Sequence, residues 1–122
     1  MKVRNLSLIS LYIMQGTVYF LSKREGGRAN PIMNKYMQMI YIDTWSMVFR
    51  LDMLKDPTAM IMPGDQATVR FTLPSNMPLL EGQLFTLREN KITVGTGMIT
   101  KLHSPVLVPV KTKLAKQTIK IE

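Results

Sequence analysis

The sequence contains no cysteine and a single histidine, His103. The absence of cysteine excludes a disulfide framework and any thiolate metal site, and one imidazole cannot form a histidine cluster around a metal. No G-x-x-x-x-G-K-[ST] segment occurs, although such a loop is what cradles nucleotide phosphates on backbone amides. His103 has no obvious orienting acid and is expected to be a solvated surface residue. We therefore predict that the chain is not an enzyme and holds no metal.

Long apolar runs are also missing, since none reaches the roughly 18 residues that a membrane span requires. No membrane partner is expected for this reason. Residues 1–14, MKVRNLSLISLYIM, combine a basic start with an apolar middle, as targeting segments do, but they lack a small-x-small cleavage site. Two interpretations follow: a targeting segment, or a leader that runs into the first strand.

Acidic residues are few compared with basic ones. Sixteen lysines and arginines stand against eight acids, which gives a net charge of +8 and a pI near 10.0. A pI above about 9 in a small domain favours a polyanionic partner such as RNA, although solubility alone also explains basic domains. The excess is densest in residues 103–122, which carry four lysines and one glutamate.

The interior of the sequence alternates between apolar and polar residues, as half-buried strands do. In Ala67–Leu73 the alternation predicts that Val69 and Phe71 face a core and that Arg70 and Thr72 face solvent. In Met47–Met53 it directs Phe49, Leu51 and Met53 inward and Arg50 and Asp52 outward. The remaining strand candidates are Thr17–Leu21, Tyr36–Ile42, Leu84–Arg88 and Thr93–Thr100.

Turn signals such as Met62–Asp65 (MPGD) separate these segments, because proline and glycine preset the central dihedrals of a turn. Six short strands without a convincing helix predict an antiparallel barrel or sandwich. Glycines inside the last strand candidate, at Gly95 and Gly97, indicate a close backbone approach or a bend. Pro105 and Pro109 limit the following apolar run to an edge strand or an extended arm, and the last eleven residues could form a weak basic helix.

Two predicted turns carry the groups that suit a polyanion, namely Lys23–Arg28 (KREGGR) and Arg88–Lys91 (RENK). An arginine presents a planar fork that matches phosphate, and glycines allow a backbone to approach closely. No base-reading aromatic residue accompanies these turns, so contacts through phosphates are expected. The alternative is that each charged run is only a solvated turn.

Several segments in order resemble a known family: residues 18–32 (VYFLSKREGGRANPI), Thr44–Trp45, Met62–Asp65 and residues 85–100 (FTLRENKITVGTGMIT). They look like the carboxy-terminal domain of translation elongation factor Tu, and the similarity runs from about Thr17 to Leu102. The resemblance implies an all-β fold, a six-stranded antiparallel β-barrel over residues 17–102, with an irregular N-terminal leader over 1–16 and a basic C-terminal tail over 103–122.

The resemblance also implies partners. In the family this barrel holds the T-arm backbone of aminoacyl-tRNA and touches elongation factor Ts, so those partners, another RNA or the ribosome are expected here. GTP and magnesium are bound by the family's GTPase domain, which this sequence lacks, so no cofactor is expected in this chain. Met37 and Thr44–Trp45 are similar to the mitochondrial branch, which implies a mitochondrial location, otherwise a cytoplasmic one.

When the RNA-contacting positions of the family are transferred to the matching positions of this sequence, the resemblance predicts a nucleic-acid site. Its members here are Arg28, Arg88, Glu89, Asn90 and Lys91. The sequence departs from the pattern at Ala29, Asn90 and Ile92, where the family has a histidine, a glycine and an arginine. Met39 and Val48 stand where bacterial members have a glutamine and a threonine, although the mitochondrial branch is also apolar there. These departures put tRNA affinity, rather than fold, in question.

Three functions remain open at this stage. The first is a tRNA-binding barrel. The second is a structural or assembly protein, associated with the ribosome, that has lost the tRNA site. The third is a truncated, non-functional relative of elongation factor Tu.

Overall fold

The fold is that of a computed structural model, which describes residues 8–75, 78–109 and 114. Within this part of the chain there are nine strands and one short 3-10 turn, which spans Lys23–Glu25. The strands are β1 Leu8–Phe20, β2 Ile32–Met33, β3 Tyr36–Ile42, β4 Trp45–Asp52, β5 Met60–Ile61, β6 Gln66–Leu73, β7 Leu84–Glu89, β8 Ile92–Leu102 and β9 Val106–Pro109.

Six of these strands close into a barrel. Their order is β6-β4-β3-β7-β8-β1, and β1 pairs again with β6, which removes both sheet edges. Every pairing is antiparallel. The predicted all-β, six-stranded antiparallel barrel is confirmed.

The barrel core follows the alternation of the strands. Phe49, Phe71 and Phe85 are buried, and their rings meet edge to face with centroids 5.3 and 5.2 Å apart. Leu51, Val69 and Leu73 are also buried at inward positions of β4 and β6. The inward register of both strands is therefore confirmed.

One glycine of β8 is required by a close approach between strands. A Cβ atom on Gly97 would lie 2.4 Å from the carbonyl oxygen of Thr17 and 2.6 Å from the Phe85 ring. Any side chain here would displace backbone or core. The close approach expected from glycines inside this strand is confirmed.

The predicted leader is corrected for residues 8–16. They belong to β1, which pairs with β6 from Tyr12 to Tyr19 and with β9 from Leu8 to Leu11. Residues 1–7 lie outside the described residues. In the tail, Val106–Pro109 forms an edge strand on β1, as its prolines predicted, while the weak helix predicted for residues 112–122 lies outside the described residues apart from Leu114.

The outer face of the barrel also departs from prediction at two positions. Arg50 and Thr72 were expected to face solvent, yet they are 2% and 0% exposed. Both lie on the outward side of their strands, and at Arg50 this side is contacted by Leu114, whose main-chain oxygen accepts a hydrogen bond from Arg50 Nη1. A buried outward face therefore accompanies the buried interior.

A two-stranded sheet of β2 and β5 was not predicted, since each strand has only two residues. It buries Ile32 and Ile61 against the barrel. No helix in the described residues is long and apolar enough to cross a membrane.

Candidate nucleic-acid interface

The Lys23–Arg28 stretch folds into a capped turn. Ser22 caps the 3-10 turn: its Oγ accepts from the Glu25 amide at 3.3 Å, and its own amide donates to Glu25 Oε1 at 2.9 Å. The Tyr19 hydroxyl donates to the same carboxylate. That hydrogen bond, followed by those from Ser22, lowers the pKa of Glu25. Glu25, in its ionised form, therefore stabilises the turn.

The second glycine of the stretch lets the turn fold back onto the end of β1. A Cβ atom at Gly27 would lie only 2.1 Å from the carbonyl oxygen of Leu21. The turn formed in this way leaves Lys23 and Arg24 exposed. The stretch thus reverses the chain and presents two cations to solvent at the same place.

Arg28, which follows this turn, reaches the end of β7. Its Nη1 atom lies 2.5 Å from Glu89 Oε1, and the two side chains are 19% and 29% exposed. Its Nε atom donates to the carbonyl oxygen of Asn30 at 3.2 Å. The guanidinium also covers the ring of Tyr36, with Cζ 4.9 Å from the ring centre. Arg28 is therefore held from three sides.

Glu89 also accepts hydrogen bonds from other side chains. The Tyr36 hydroxyl and Gln38 Nε2 lie 3.4 and 3.3 Å from the same Oε1 atom that Arg28 contacts. Burial, as the largest cause, raises the pKa of Tyr36 to about 12; the Glu89 charge adds to this and Arg28 opposes it. The hydroxyl therefore stays protonated and can donate to the carboxylate.

Arg88 is held in a similar way on the outward side of β7. Its Cζ atom lies 5.1 Å from the centre of the Tyr41 ring, and its Nη2 atom donates to the carbonyl oxygen of Lys91 at 3.0 Å. Asn90, between them, has a φ of 58°, a left-handed conformation that asparagine tolerates better than most residues. Asn90 is therefore compatible with the turn between β7 and β8. Lys91, the next residue, is exposed.

All five predicted site residues therefore lie in one region. Arg28 contacts Glu89, whose neighbours in the chain are Arg88 and Asn90, and Lys91 closes the same turn. Lys23, Arg24, Arg28, Arg88 and Lys91 outnumber Glu25 and Glu89 by five to two in these two turns. Such a surface attracts phosphate oxygens, and the two fixed guanidinium groups can meet them with defined geometry.

The sequence interpretation missed the tyrosines of β3. We expected no base-reading aromatic residue at these turns and did not predict that Tyr36 and Tyr41 each lie under one arginine. Their rings face guanidinium groups, so they support the arginines instead of offering a free stacking surface. No local signal marks them, because only the strand order places β3 beside β7.

An apolar strip lies next to Arg88. Met39 is the cross-strand partner of Arg88 on one side and of Val48 on the other, and both apolar side chains are half-buried. The cationic turn region thus adjoins two apolar side chains on the outer side of the barrel.

The family model described as the Elongation factor Tu C-terminal domain matches residues 10–103. The chain belongs to this family. The match covers all six barrel strands, so the sequence resemblance and the observed barrel agree. The match begins inside β1 and ends at His103, just before β9. The positions that depart from the family pattern include Ala29 and Ile92, and both are exposed.

Proposed function

We propose that this elongation factor Tu-type barrel binds RNA through its phosphate backbone, with the T-arm of aminoacyl-tRNA as the natural ligand. The observation that carries the proposal is the position of Arg28 and Arg88. They come from separate turns, and each is held over a tyrosine ring at the same end of β7. Family membership supports the same role in translation.

The chemistry suits phosphates better than bases. A guanidinium that is already fixed loses little conformational entropy when it forms a bidentate contact. Lys91, Lys23 and Arg24 are exposed and add positive charge to the same two turns. Because one face of each tyrosine ring lies against a guanidinium, stacking on a base is expected to contribute little, and binding is expected to follow backbone shape and charge.

Glu89 has a positioning role in this proposal. It holds Arg28 and accepts from Tyr36 and Gln38, while Asn90 sets the turn that presents Lys91. A carboxylate beside the cations also penalises misplaced phosphates by like-charge repulsion. The Arg28–Glu89 pair has no net charge. Its expected contribution is therefore to orient the contact with a phosphate.

Further parts of the proposal rest on family membership alone. Elongation factor Ts and the ribosome are proposed as protein and ribonucleoprotein partners, and a mitochondrial location is proposed from the likeness at Met37 and Thr44–Trp45. GTP and magnesium are assigned to another domain of the family, so catalysis is not proposed for this barrel. Fluorescence microscopy of the tagged chain tests the location: a cytoplasmic signal would contradict it.

A second function is favoured by the apolar strip. Met39 and Val48 present uncharged, half-buried side chains where a protein surface could pack. This arrangement supports a structural or assembly role on the ribosome, in which the barrel contacts protein instead of tRNA. Co-sedimentation with ribosomes from a lysate that lacks aminoacyl-tRNA distinguishes this role from the first.

The test of the proposed function compares three ligands of equal length and charge: a T-arm RNA hairpin, the same sequence as a DNA hairpin, and an unstructured RNA. Fluorescence anisotropy at several salt concentrations is the measurement. We expect the RNA hairpin to bind most tightly, with an affinity that falls steeply with salt. Equal binding to all three would show a non-specific basic surface and contradict the proposal.

A further inference from the structure

A second group of basic side chains lies on the outer surface of β1 and of its two neighbours in the barrel. Gln15 on β1 is the cross-strand partner of Arg70 on β6 and of Lys101 on β8. The adjacent residues Met14 and Phe71 belong to the core, so alternation turns the Gln15 row outward. Two strand spacings put the Cα atoms of Arg70 and Lys101 about 10 Å apart. Two cations therefore flank one uncharged amide on the outside of the barrel.

His103 belongs to the same group. Its main-chain N–H donates to the carbonyl oxygen of Ile13 at 3.0 Å, which continues the pairing of β1 with β8 by one residue. It lies two residues after Lys101 and therefore on the same face. Burial, as the largest cause, lowers the pKa of His103, and the charges of Lys101 and Arg70 lower it further. Arg70, Lys101 and His103 thus lie close together, and we call them the outer cation group.

No carboxylate forms an ion pair with the outer cation group among the described residues. Strands β1 and β9 contain no lysine, arginine, aspartate or glutamate. On β4, Asp52 is the cross-strand partner of Arg70, but its ion pair is with Arg50. The Nε–H group of Arg70 is shielded from solvent and has no hydrogen-bond acceptor in the described part of the chain. Arg70 thus differs from Arg28 and Arg88, whose guanidinium groups donate to acceptors of the barrel itself.

The outer cation group and the candidate interface lie on opposite sides of the barrel. In the closed order β6-β4-β3-β7-β8-β1, strand β1 is three strands away from β3 in either direction. The group is centred on β1, whereas β3 supplies Tyr36 and Tyr41 beneath the arginines of the candidate interface. A phosphate at one region is therefore out of reach of the other.

The chemistry of the group fits a phosphate. An arginine fork donates two parallel hydrogen bonds to phosphate oxygens, a lysine adds a point charge, and a protonated histidine adds a further donor. Side chains of this length, on Cα atoms about 10 Å apart, can both reach one phosphate above Gln15. Lys101 is exposed, while Arg70 and His103 are half-buried, so the surface is open. An open surface holds a small anion weakly, whereas an RNA backbone presents several phosphates in a row.

We propose that Arg70, Lys101 and His103 form a second phosphate-binding site, which takes the backbone of an RNA segment on the side of the barrel opposite the candidate interface. The site goes beyond the proposed function, because it shares no residue with the two charged turns. Protonation of His103 adds a positive charge to it, so RNA binds more tightly at acidic pH. With sites on two sides, the barrel can contact two RNA segments at once.

The first experiment uses the full chain and the imidazole signal of its single histidine, which needs no variant for its assignment. Proton NMR measures the pKa of His103 with and without a saturating amount of the T-arm RNA hairpin. A salt concentration of about 0.15 M screens charges more than about 8 Å away. We expect the pKa of His103 to rise by about 0.5 when RNA binds, because a nearby phosphate favours the protonated imidazole. An unchanged pKa would overturn the site.

Two comparisons identify the ligand and separate this site from the candidate interface. Inorganic phosphate, at the same total phosphate concentration, should leave the pKa of His103 nearly unchanged; a rise equal to that with RNA would overturn the assignment to RNA. The Arg28→Ala, Arg88→Ala double variant should still show the rise with RNA, and loss of the rise would overturn a separate site. If these two substitutions leave RNA affinity unchanged while the pKa of His103 still rises, the proposed function fails and the second site stands.

The second experiment measures RNA affinity by fluorescence anisotropy on either side of the pKa of His103. A rise of about 0.5 in that pKa corresponds to binding that is up to about threefold tighter at the lower pH. This gain is present below the pKa of free His103 and is lost as the pH rises through the pKa of the complex. His103→Gln should remove the gain, and an unchanged pH dependence in this variant would overturn the role of His103 in the site.

The same assay measures the salt dependence of binding. Arg70→Gln combined with Lys101→Gln should lower the slope of log affinity against log salt by roughly 0.7–0.9, as expected when one phosphate is no longer neutralised. Lys55→Gln, at an exposed lysine between β4 and β5, is the matched control and should leave the slope unchanged. If circular dichroism shows that the double variant is unfolded, Lys101→Gln alone replaces it, since that side chain is exposed. A wild-type slope in the folded variant would overturn the site.

Discussion

Arg28 and Glu89, which are 61 residues apart in the sequence, meet through a contact of 2.5 Å between Nη1 and Oε1. The contact ties the loop after the 3-10 turn to the end of β7. Because Tyr36 and Gln38 donate to the same carboxylate oxygen, the pair joins three segments of the barrel. Local order at the candidate interface therefore depends on a long-range polar contact.

The first prediction concerns the energy of this pair. Since both side chains are less than one-third exposed, we expect Arg28→Ala and Glu89→Ala each to lower the free energy of unfolding by about 1–2 kcal/mol. In the double variant the two effects should be non-additive, with a coupling of about 0.5–1 kcal/mol. Urea denaturation of the four proteins measures this. Pairing Glu89→Ala with the distant Lys55→Ala is the control and should be additive, whereas additivity in the Arg28 cycle would contradict the account.

The second prediction concerns the core. Phe71→Ala should cost roughly 3–5 kcal/mol, because the ring is fully buried between Phe49 and Phe85. Arg70→Ala, its neighbour on the outward side of β6, should cost no more than about 1 kcal/mol. Thermal or urea unfolding of both variants is the measurement. Similar destabilisation by the two would show that the register of β6 is wrong.

The third prediction concerns alkaline pH. The pKa of Tyr36 rises from 10.0 to about 12 on folding, so the neutral hydroxyl is favoured in the folded state. The stabilisation that comes from the neutral Tyr36 hydroxyl is fully present below pH 10 and is lost as the pH rises towards 12. The wild type should therefore lose more stability over this interval than Tyr36→Phe. Urea midpoints that fall in parallel for the two proteins would exclude this contribution.

The fourth prediction concerns nucleotides. No P-loop sequence is present, so the chain should not bind GTP at micromolar concentration. Equilibrium dialysis with labelled GTP is the measurement, and ATP serves as a control for weak binding to basic groups. Retention of GTP in clear excess over ATP would require a nucleotide site that the sequence does not indicate.

Alternation and turn chemistry were enough to predict the barrel strands that follow β2. The inward residues of β4 and β6 appear as predicted, and the predicted turn at Met62–Asp65 is closed by a 3.0 Å hydrogen bond from the Asp65 amide to the Met62 oxygen. Both signals are local, because period and turn type depend on adjacent residues. Local signals therefore account for most of the fold.

The start of β1 could not be predicted from alternation. Leu11, Ile13 and Met14 are all buried, although only Met14 belongs to the core cluster, so this strand is buried on its outward side as well. A strand buried on both faces loses its period of two, and the run resembled the apolar middle of a targeting segment. Arg50, which alternation directed to solvent, is buried on the outward side of β4 in the same way.

The candidate site was predictable in part. The two charged turns were apparent from arginine and glycine content, but the contact between Arg28 and Glu89 and the tyrosines beneath the arginines depend on strand order. A pattern within one segment cannot show which distant strand becomes its neighbour. For this reason the charged residues of the two turns could be named from the sequence, but the contacts that hold the two arginines in place could not.

The most direct test of RNA binding by the two turns is the salt dependence of binding to tRNA by single variants. Fluorescence anisotropy should show that Arg28→Ala and Arg88→Ala each weaken binding and each lower the slope of log affinity against log salt by roughly 0.7–0.9, as expected when one phosphate is no longer neutralised. Lys55→Ala, which removes an equal charge from an exposed position between β4 and β5, should leave the slope unchanged. If affinity and slope stay at the wild-type values in both arginine variants, the two turns do not contact RNA and the account is contradicted.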